Sequence, residues 1–256
     1  MGQCWASSLG DCDSISGEHV FSNALFRAGC GCPPVVKGVK RIRNGEVTPN
    51  AEKANILCRR HNSMLSPLDA IAGKIASFQA NANDENFNES LYVEGELLER
   101  WLLKTVVNNA AAGWMGPRKL RPSPEVVSAI YGHSSVPNGI GLYSVDGIDP
   151  QHTPSGGVSV TPIFLNGYGA QLLGGAYITV HGMPLFAALN TELANTLESG
   201  ETRNLLPQFS TTGLRHLYHP GAIVMSRKRG LPVVIGLSWR GLLRFENGTT
   251  APFPAT

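Results

Sequence analysis

The sequence lacks most of the features that assign a chain to a class at a glance. It has no apolar run near the ~20 residues needed to span a bilayer; its longest, such as Leu231–Trp239, fall far short. No membrane partner is therefore expected. Met1–Gly10 has no basic segment followed by an apolar one, so no secretory leader is expected and the default location is cytoplasmic. No G-x4-G-K-[ST] loop is present, and no G-x-G-x2-G follows a strand. Ser134, Ser135 and Ser210 lack the context of a nucleophile elbow. No internal repeat is visible. Cysteine is absent after the first quarter: Cys4, Cys12, Cys30, Cys32 and Cys58 are all there are. An odd number of clustered cysteines in a chain expected to be cytosolic argues for metal ligation over disulfides.

What is present describes a globular chain. Its 256 residues fit one large domain or two ordinary ones, and 42% hydrophobic with 16% charged residues is a soluble composition. The net charge is only +2. It is unevenly spread: residues 1–80 hold 9 Lys/Arg against 6 Asp/Glu, residues 81–150 hold 5 against 9, and residues 151–256 hold 7 against 4. A phosphate polyanion would favour the two basic ends.

The first ~60 residues, rich in Gly, Cys and Pro, read as loops and short strands. Val35–Ile42 is a candidate strand before an Asn44-Gly45 turn. From Ser63 the residues Met64, Leu65, Leu68, Ile71, Ala72, Ile75 and Phe78 recur at helical steps, with Pro67 in the first turns, where proline is tolerated. Asn81–Ser90 is polar and linker-like. Glu94–Asn108 reads as a second helix, with Leu97, Leu98, Trp101, Leu102 and Val106 on one face. Pro117, Pro122 and Pro124 then break the pattern. Gly141–Val145, Val158–Leu165, Ala176–His181, Ala222–Ser226 and Pro232–Trp239 read as strands separated by turn signals. The expected class is α+β: a zinc-stapled module at 1–80, a polar linker and helical segment at 81–138, and a β-rich antiparallel sheet or sandwich at 139–256.

Cys58-x2-His61 before a helix places a thiolate and an imidazole on one side of a tight turn, and Cys4-x7-Cys12 supplies a looser second pair. Cys4, Cys12, Cys58 and His61 are the candidate ligands of a structural Zn2+; Cys30-Gly-Cys32 could supply one or two ligands instead. A module this small and this poor in apolar residues needs such a staple. Trp5 is placed to pack over the knuckle.

Between the two halves lies Glu18-His19-Val20. The order Cys12-x5-Glu18-His19-Val20, then Leu57-Cys58-x2-His61-Asn62 and a helix, resembles the zinc-bearing HNH endonucleases of the ββα-metal superfamily, over about residues 1–75. The resemblance implies that His19 is the general base, that Glu18 binds a catalytic Mg2+ or Mn2+, and that Asn62 completes that metal site. Asp69, seven residues along the same helix, falls near the same face. The middle asparagine of the motif has Asn55, Asn50 and Asn44 as candidates, with Asn55 first. The chemistry is coherent: a hard cation on oxygens binds the scissile phosphate, and a neutral imidazole accepts the proton of water.

Nucleic acid, DNA in the first instance, is the expected partner. Arg59 and Arg60 lie inside the knuckle, and Lys37, Lys40, Arg41 and Arg43 lie on or near the candidate strand. Arg118, Lys119 and Arg121, and Arg227, Lys228 and Arg229, form two further basic clusters. Tyr218-His-Pro-Gly221 before an apolar strand resembles sheet domains found behind such modules in bacterial proteins; the sheet could read DNA, recognise a protein partner or drive homo-oligomerisation, and a nuclease with a partner-sensing sheet would suit bacterial defence. The rival readings are a non-catalytic zinc-binding interaction module and a regulator that binds nucleic acid without cutting it.

Overall fold

The computed structural model describes residues 4–27, 35–37, 45–46, 53–82, 84, 87–115, 120–146, 158–167, 170–198, 215–225, 233–240, 242–244 and 250–252. Cys30, Cys32, Lys40, Arg41, Arg43, Asn44, Asn50, Arg118, Lys119, Arg227, Lys228 and Arg229 lie outside the described residues.

The chain opens with a short 3-10 turn at Ser7–Leu9 and the strand β1 (Ile15–His19). After α1 (Ala24–Arg27), β2 (Val35–Lys37) and β3 (Gly45–Glu46) comes β4 (Lys53–Cys58), which pairs antiparallel with β1. The register carries a bulge. Ser16 faces Leu57 but Glu18 faces Ala54, so Gly17 alone opposes Asn55 and Ile56. The extra residue lies on β4, and such a bulge bends its strand and strengthens the local twist of the pair. Here it leads into a buried Glu18 followed by a half-buried His19.

Two helices follow β4 directly, α2 (Arg59–Met64) and α3 (Ser66–Asn81). Cys58 caps α2, and Pro67 sits in the first turn of α3, where no intrahelical N–H is needed. Leu68, Ala72, Ile75, Ala76 and Gln79 form the buried face of α3. The helical spacing read from the sequence is therefore present, divided at Leu65.

The centre of the molecule is α4 (Gly95–Ala111), entered from the short strand β5 (Leu91–Glu94). It packs against α3, β5, β9 (Met183–Ala188), β12 (Val233–Trp239), α5 (Pro124–Ile130) and β6 (Gly141–Asp146). Almost every side chain from Leu98 onward is buried, including Glu99, Lys104, Asn108 and Asn109. A helix enclosed on all sides is ordinarily apolar all round. Buried polar groups on such a helix have to find partners within the protein.

Two larger sheets complete the fold. One has the order β10–β6–β9–β8–β7–β2–β3, with β7 (Val158–Gly167), β8 (Ala170–Val180) and β10 (Arg215–Tyr218); α6 (Thr191–Glu198) packs on β8 and β9. The other centres on β12, flanked by β11 (Ala222–Met225), β13 (Leu242–Arg244) with β14 (Thr250–Pro252) beyond it, and β5. Most pairings are antiparallel, as the late strands of the sequence suggested. Among the described residues two are parallel, β2 with β7 and β5 with β12, and through them early segments join sheets built from later ones. The class is thus α+β with several antiparallel sheets and a few helices.

His219 fastens α4 to both sheets. Its Nε2 lies 2.9 Å from Glu99 Oε1, and its ring stacks between Tyr218 and Trp239 at 3.8 and 3.9 Å. Glu99 also accepts a hydrogen bond from the Leu142 N–H at 2.9 Å. Gly141 makes this approach feasible. It sits at φ 121, and a Cβ there would lie 1.9 Å from Glu99 Oε1. One apolar core runs from Cys4 to Trp239, and a second, containing Tyr143, Tyr177, Phe186 and Leu193, lies between the larger sheet and α6. Among the described residues, no helix is long and apolar enough to cross a membrane.

A candidate metal centre and the polar cluster beside it

Cys58 ends β4 and caps α2, so its sulfur accepts a hydrogen bond from the His61 backbone N–H at 3.5 Å. One helical turn brings the His61 ring back over the same sulfur, with Nδ1 3.1 Å from Cys58 Sγ. The segment before β1 closes the other side. Cys4 Sγ lies 3.4 Å and Cys12 Sγ 3.6 Å from that nitrogen. The four ligand atoms all fall within 4.8 Å of one another. Backbone bonds fix the approach: Trp5 N–H to Ile56 O and Arg59 N–H to Ser14 O, both at 2.9 Å.

A single ring nitrogen makes one hydrogen bond, not three. Three sulfurs converging on it describe something else. In a tetrahedron with Zn–S about 2.3 Å and Zn–N about 2.0–2.1 Å, each sulfur–nitrogen edge is about 3.6 Å. The observed separations reach that edge or fall short of it by at most about half an ångström. Ionisation follows the same logic. Burial pushes the Cys4 thiol up, and dehydration followed by the neighbouring thiols of Cys4 and Cys58 pushes Cys12 up to about 12. Two thiols raised side by side, Cys4 and Cys12, ionise together only around a cation. Burial, and then Arg60, hold the His61 imidazole below its ordinary value, in the neutral form that ligates. The four residues expected from the sequence are those brought together, and they could hold zinc.

Tyr131 is the residue of this centre that the sequence did not announce. Its hydroxyl donates to the His61 carbonyl at 3.1 Å, and its ring meets the His61 ring edge-on at 5.6 Å and the Trp5 ring at 5.8 Å. Burial, reinforced by the nearby thiols, pushes its phenol well above the usual range. Trp5 packs here as expected and reaches onward, donating from Nε1 to Asn108 Oδ1 at 2.9 Å.

Asn108 opens a second cluster. Its amide nitrogen lies 3.5 Å from Glu18 Oε1 and 3.4 Å from the His19 carbonyl. Lys104, one turn back on α4, places Nζ 3.1 Å from Glu18 Oε1 and 2.7 Å from Asp69 Oδ1. Ser22 Oγ donates to the same Asp69 oxygen, and Trp101 Nε1 donates to Ser22 Oγ at 2.8 Å. Trp101, Lys104 and Asn108 are spaced three and four residues apart, so one face of α4 supplies all three. Lys104 is 1% exposed and Glu18 4%. Burial pushes the Glu18 carboxyl up, with Lys104 acting against it.

His19 borders this cluster, half-buried and without a side-chain hydrogen bond among the described residues. It faces Lys53 across the strand pair. Burial, then Lys53, hold its imidazole below the ordinary value; Lys104 and Arg27 act in the same direction and Asp69 against it. Asp69, expected near the site, is part of it. Asn55 is exposed at the bulge. Asn62 is half-buried on α2, and no hydrogen bond joins it to Glu18, His19 or Asp69 among the described residues. Arg59 and Arg60 are exposed beside the thiolates. Arg60 pairs with Asp11 at 3.3 Å, and its backbone N–H binds Asp13 Oδ1 at 3.1 Å, the chief reason the Asp13 carboxyl lies below its usual range.

Among the described residues, the thiolate–imidazole set is the only group of three or more such side chains arranged to hold a metal ion. No protein-family model matches the chain, and neither a curated protein nor a solved structure is significantly similar to it.

Proposed function

We propose that this chain is a zinc-stapled, HNH-type endonuclease that hydrolyses phosphodiester bonds of nucleic acid, DNA in the first instance, with His19 as general base. The observation that carries the reading is the setting of His19. It is a half-buried imidazole held neutral near pH 7, beside Lys53 on the paired strand, with Arg27 also acting on it. A neutral imidazole accepts a proton, and cationic neighbours draw in a phosphate. The order of elements supports the reading: two antiparallel strands followed by a helix, with the thiolate cluster at the strand–helix junction. In the reaction the oxygen of water bonds to phosphorus and His19 takes the water's proton. The bond to the leaving sugar oxygen breaks, and solvent protonates that oxygen.

The zinc residues fit their ion, which would hold the strand pair to α2 and take no part in this step. The Mg2+ or Mn2+ that the resemblance implies at Glu18 and Asn62 does not fit. Glu18 is buried against Lys104 and Asn108, which leaves its Oε1 no room for such an ion.

The test is nicking of supercoiled plasmid by zinc-loaded protein. Wild type is expected to nick and His19→Ala to lose the activity with zinc content and melting unchanged. Equal activity in the two proteins removes the proposal. A second reading, a non-catalytic zinc-binding module, is favoured by the internal neutralisation of Glu18 and Asp69 by Lys104. It predicts no nicking by either protein.

A further inference from the structure

In HNH-type sites a carboxylate beside the general base is expected to hold a divalent cation. Here the space between the two carboxylates of the site is filled by a side chain from a distant helix. Lys104 Nζ lies 2.7 Å from Asp69 Oδ1 and 3.1 Å from Glu18 Oε1, and all but a trace of its surface is buried. We propose that Lys104 is the resident cation of this site: its ammonium occupies the seat between Glu18 and Asp69, so the folded protein takes no Mg2+ or Mn2+ there.

Mg2+ requires near-octahedral oxygen ligation and ordinarily keeps several waters, but Glu18 is 4% exposed and its Oε1 already meets Lys104 and Asn108. An incoming ion would have to expel an ammonium that is 1% exposed and leave it without a counter-ion inside the protein, an arrangement strongly disfavoured. The lysine is also held in place: Asp69 is fixed by Ser22, which Trp101 orients from the same face of α4 as Lys104. Lys104 is thus a positioning residue. It fixes Glu18, and with it the end of β1 that carries His19, and it never meets substrate. Its bearing on catalysis rests on the hydrolase reading; the cation assignment itself does not.

The test uses the full, zinc-loaded chain titrated with Mn2+, the free ion being read by electron paramagnetic resonance. Wild type is expected to leave Mn2+ free throughout the micromolar range. Lys104→Met, which removes the ammonium and leaves two facing carboxylates, is expected to gain a Mn2+ ion per chain with affinity about tenfold or more above wild type. Micromolar Mn2+ binding by wild type that disappears in Glu18→Gln overturns the proposal. The wild-type titration with its Glu18→Gln control decides the matter even where Lys104→Met fails to fold. The two readings fail separately. Mn2+ binding at Glu18 overturns the cation assignment whatever the activity, and absent nicking overturns the hydrolase whatever the Mn2+ result.

Discussion

The thiolate–imidazole centre and the carboxylate–ammonium cluster lie on the same strand pair and meet their charge requirements in opposite ways. Cys4, Cys12, Cys58 and His61 converge within 4.8 Å, with no ion pair to any of them among the described residues. Glu18 and Asp69 converge on Lys104. The first cluster could hold an ion added from outside; the second already contains a cation supplied by the fold. Three thiols and an imidazole within 4.8 Å of one another suit zinc, whereas Glu18 and Asp69 already share an ammonium of the protein. Candidate metal ligands therefore have to be judged by what already neutralises them.

The strongest way to break this contrast is to remove a thiolate. A structural zinc of this kind contributes roughly 10–16 kcal/mol of apparent binding energy, more than the margin by which most domains are stable. We predict that Cys58→Ser loses its zinc and the folding of the strand pair together, read by metal analysis and thermal unfolding. Full zinc content with unchanged melting would remove the staple from the account.

Removing the internal cation should cost less. Lys104→Met leaves two carboxylates unneutralised, and breaking a buried ion pair costs about 3–5 kcal/mol. Adding Glu18→Gln should return part of that loss, because one of the stranded charges is then gone. Strict additivity of the two changes in a double-mutant cycle would show that Glu18 and Lys104 do not depend on each other.

The smallest effect concerns His19, at the border of the second cluster. Its imidazole is held below the ordinary value of about 6.5, so the basic form persists to lower pH than in a free histidine. The sign is fixed by that direction. A depressed pKa keeps the base competent above the folded value and loses it only as pH falls through it. The acid limb of nicking should therefore lie below about pH 6.5. A limb at or above that point would show that another group titrates.

How much of this the sequence disclosed follows the same division. The thiolate centre was legible because its chemistry is rare and half of it is local: Cys58-x2-His61 needs only one turn of helix to bring its ligands together. The helix bearing Asp69 and the central helix were legible from their three- and four-residue spacing. The second cluster was legible in part: Glu18 and Asp69 were expected near one site, Lys104 and Asn108 were not. Lys104 in an amphipathic pattern reads as an exposed lysine, and no local signal shows that α4 is enclosed on every side. Its run of Lys104, Asn108 and Asn109 among apolar residues was the available hint. The helix α5 was missed because Pro122 and Pro124 read as breakers, although Ser123 before Pro124 is a cap, its hydroxyl accepting from the Val126 N–H. The strand β9 is buried at five of six positions, so it shows no alternation to detect. The short strand β5 is held by a parallel pairing with β12, a partner that local sequence does not reveal.

The central claim is that the N-terminal unit is held by zinc on three thiolates and one imidazole. X-ray absorption at the zinc edge of the purified full chain tests it most directly. One zinc per chain is expected, with three sulfur neighbours at about 2.3 Å and one nitrogen at about 2.0–2.1 Å. Protein that folds without zinc, or a zinc shell dominated by oxygen, would contradict it.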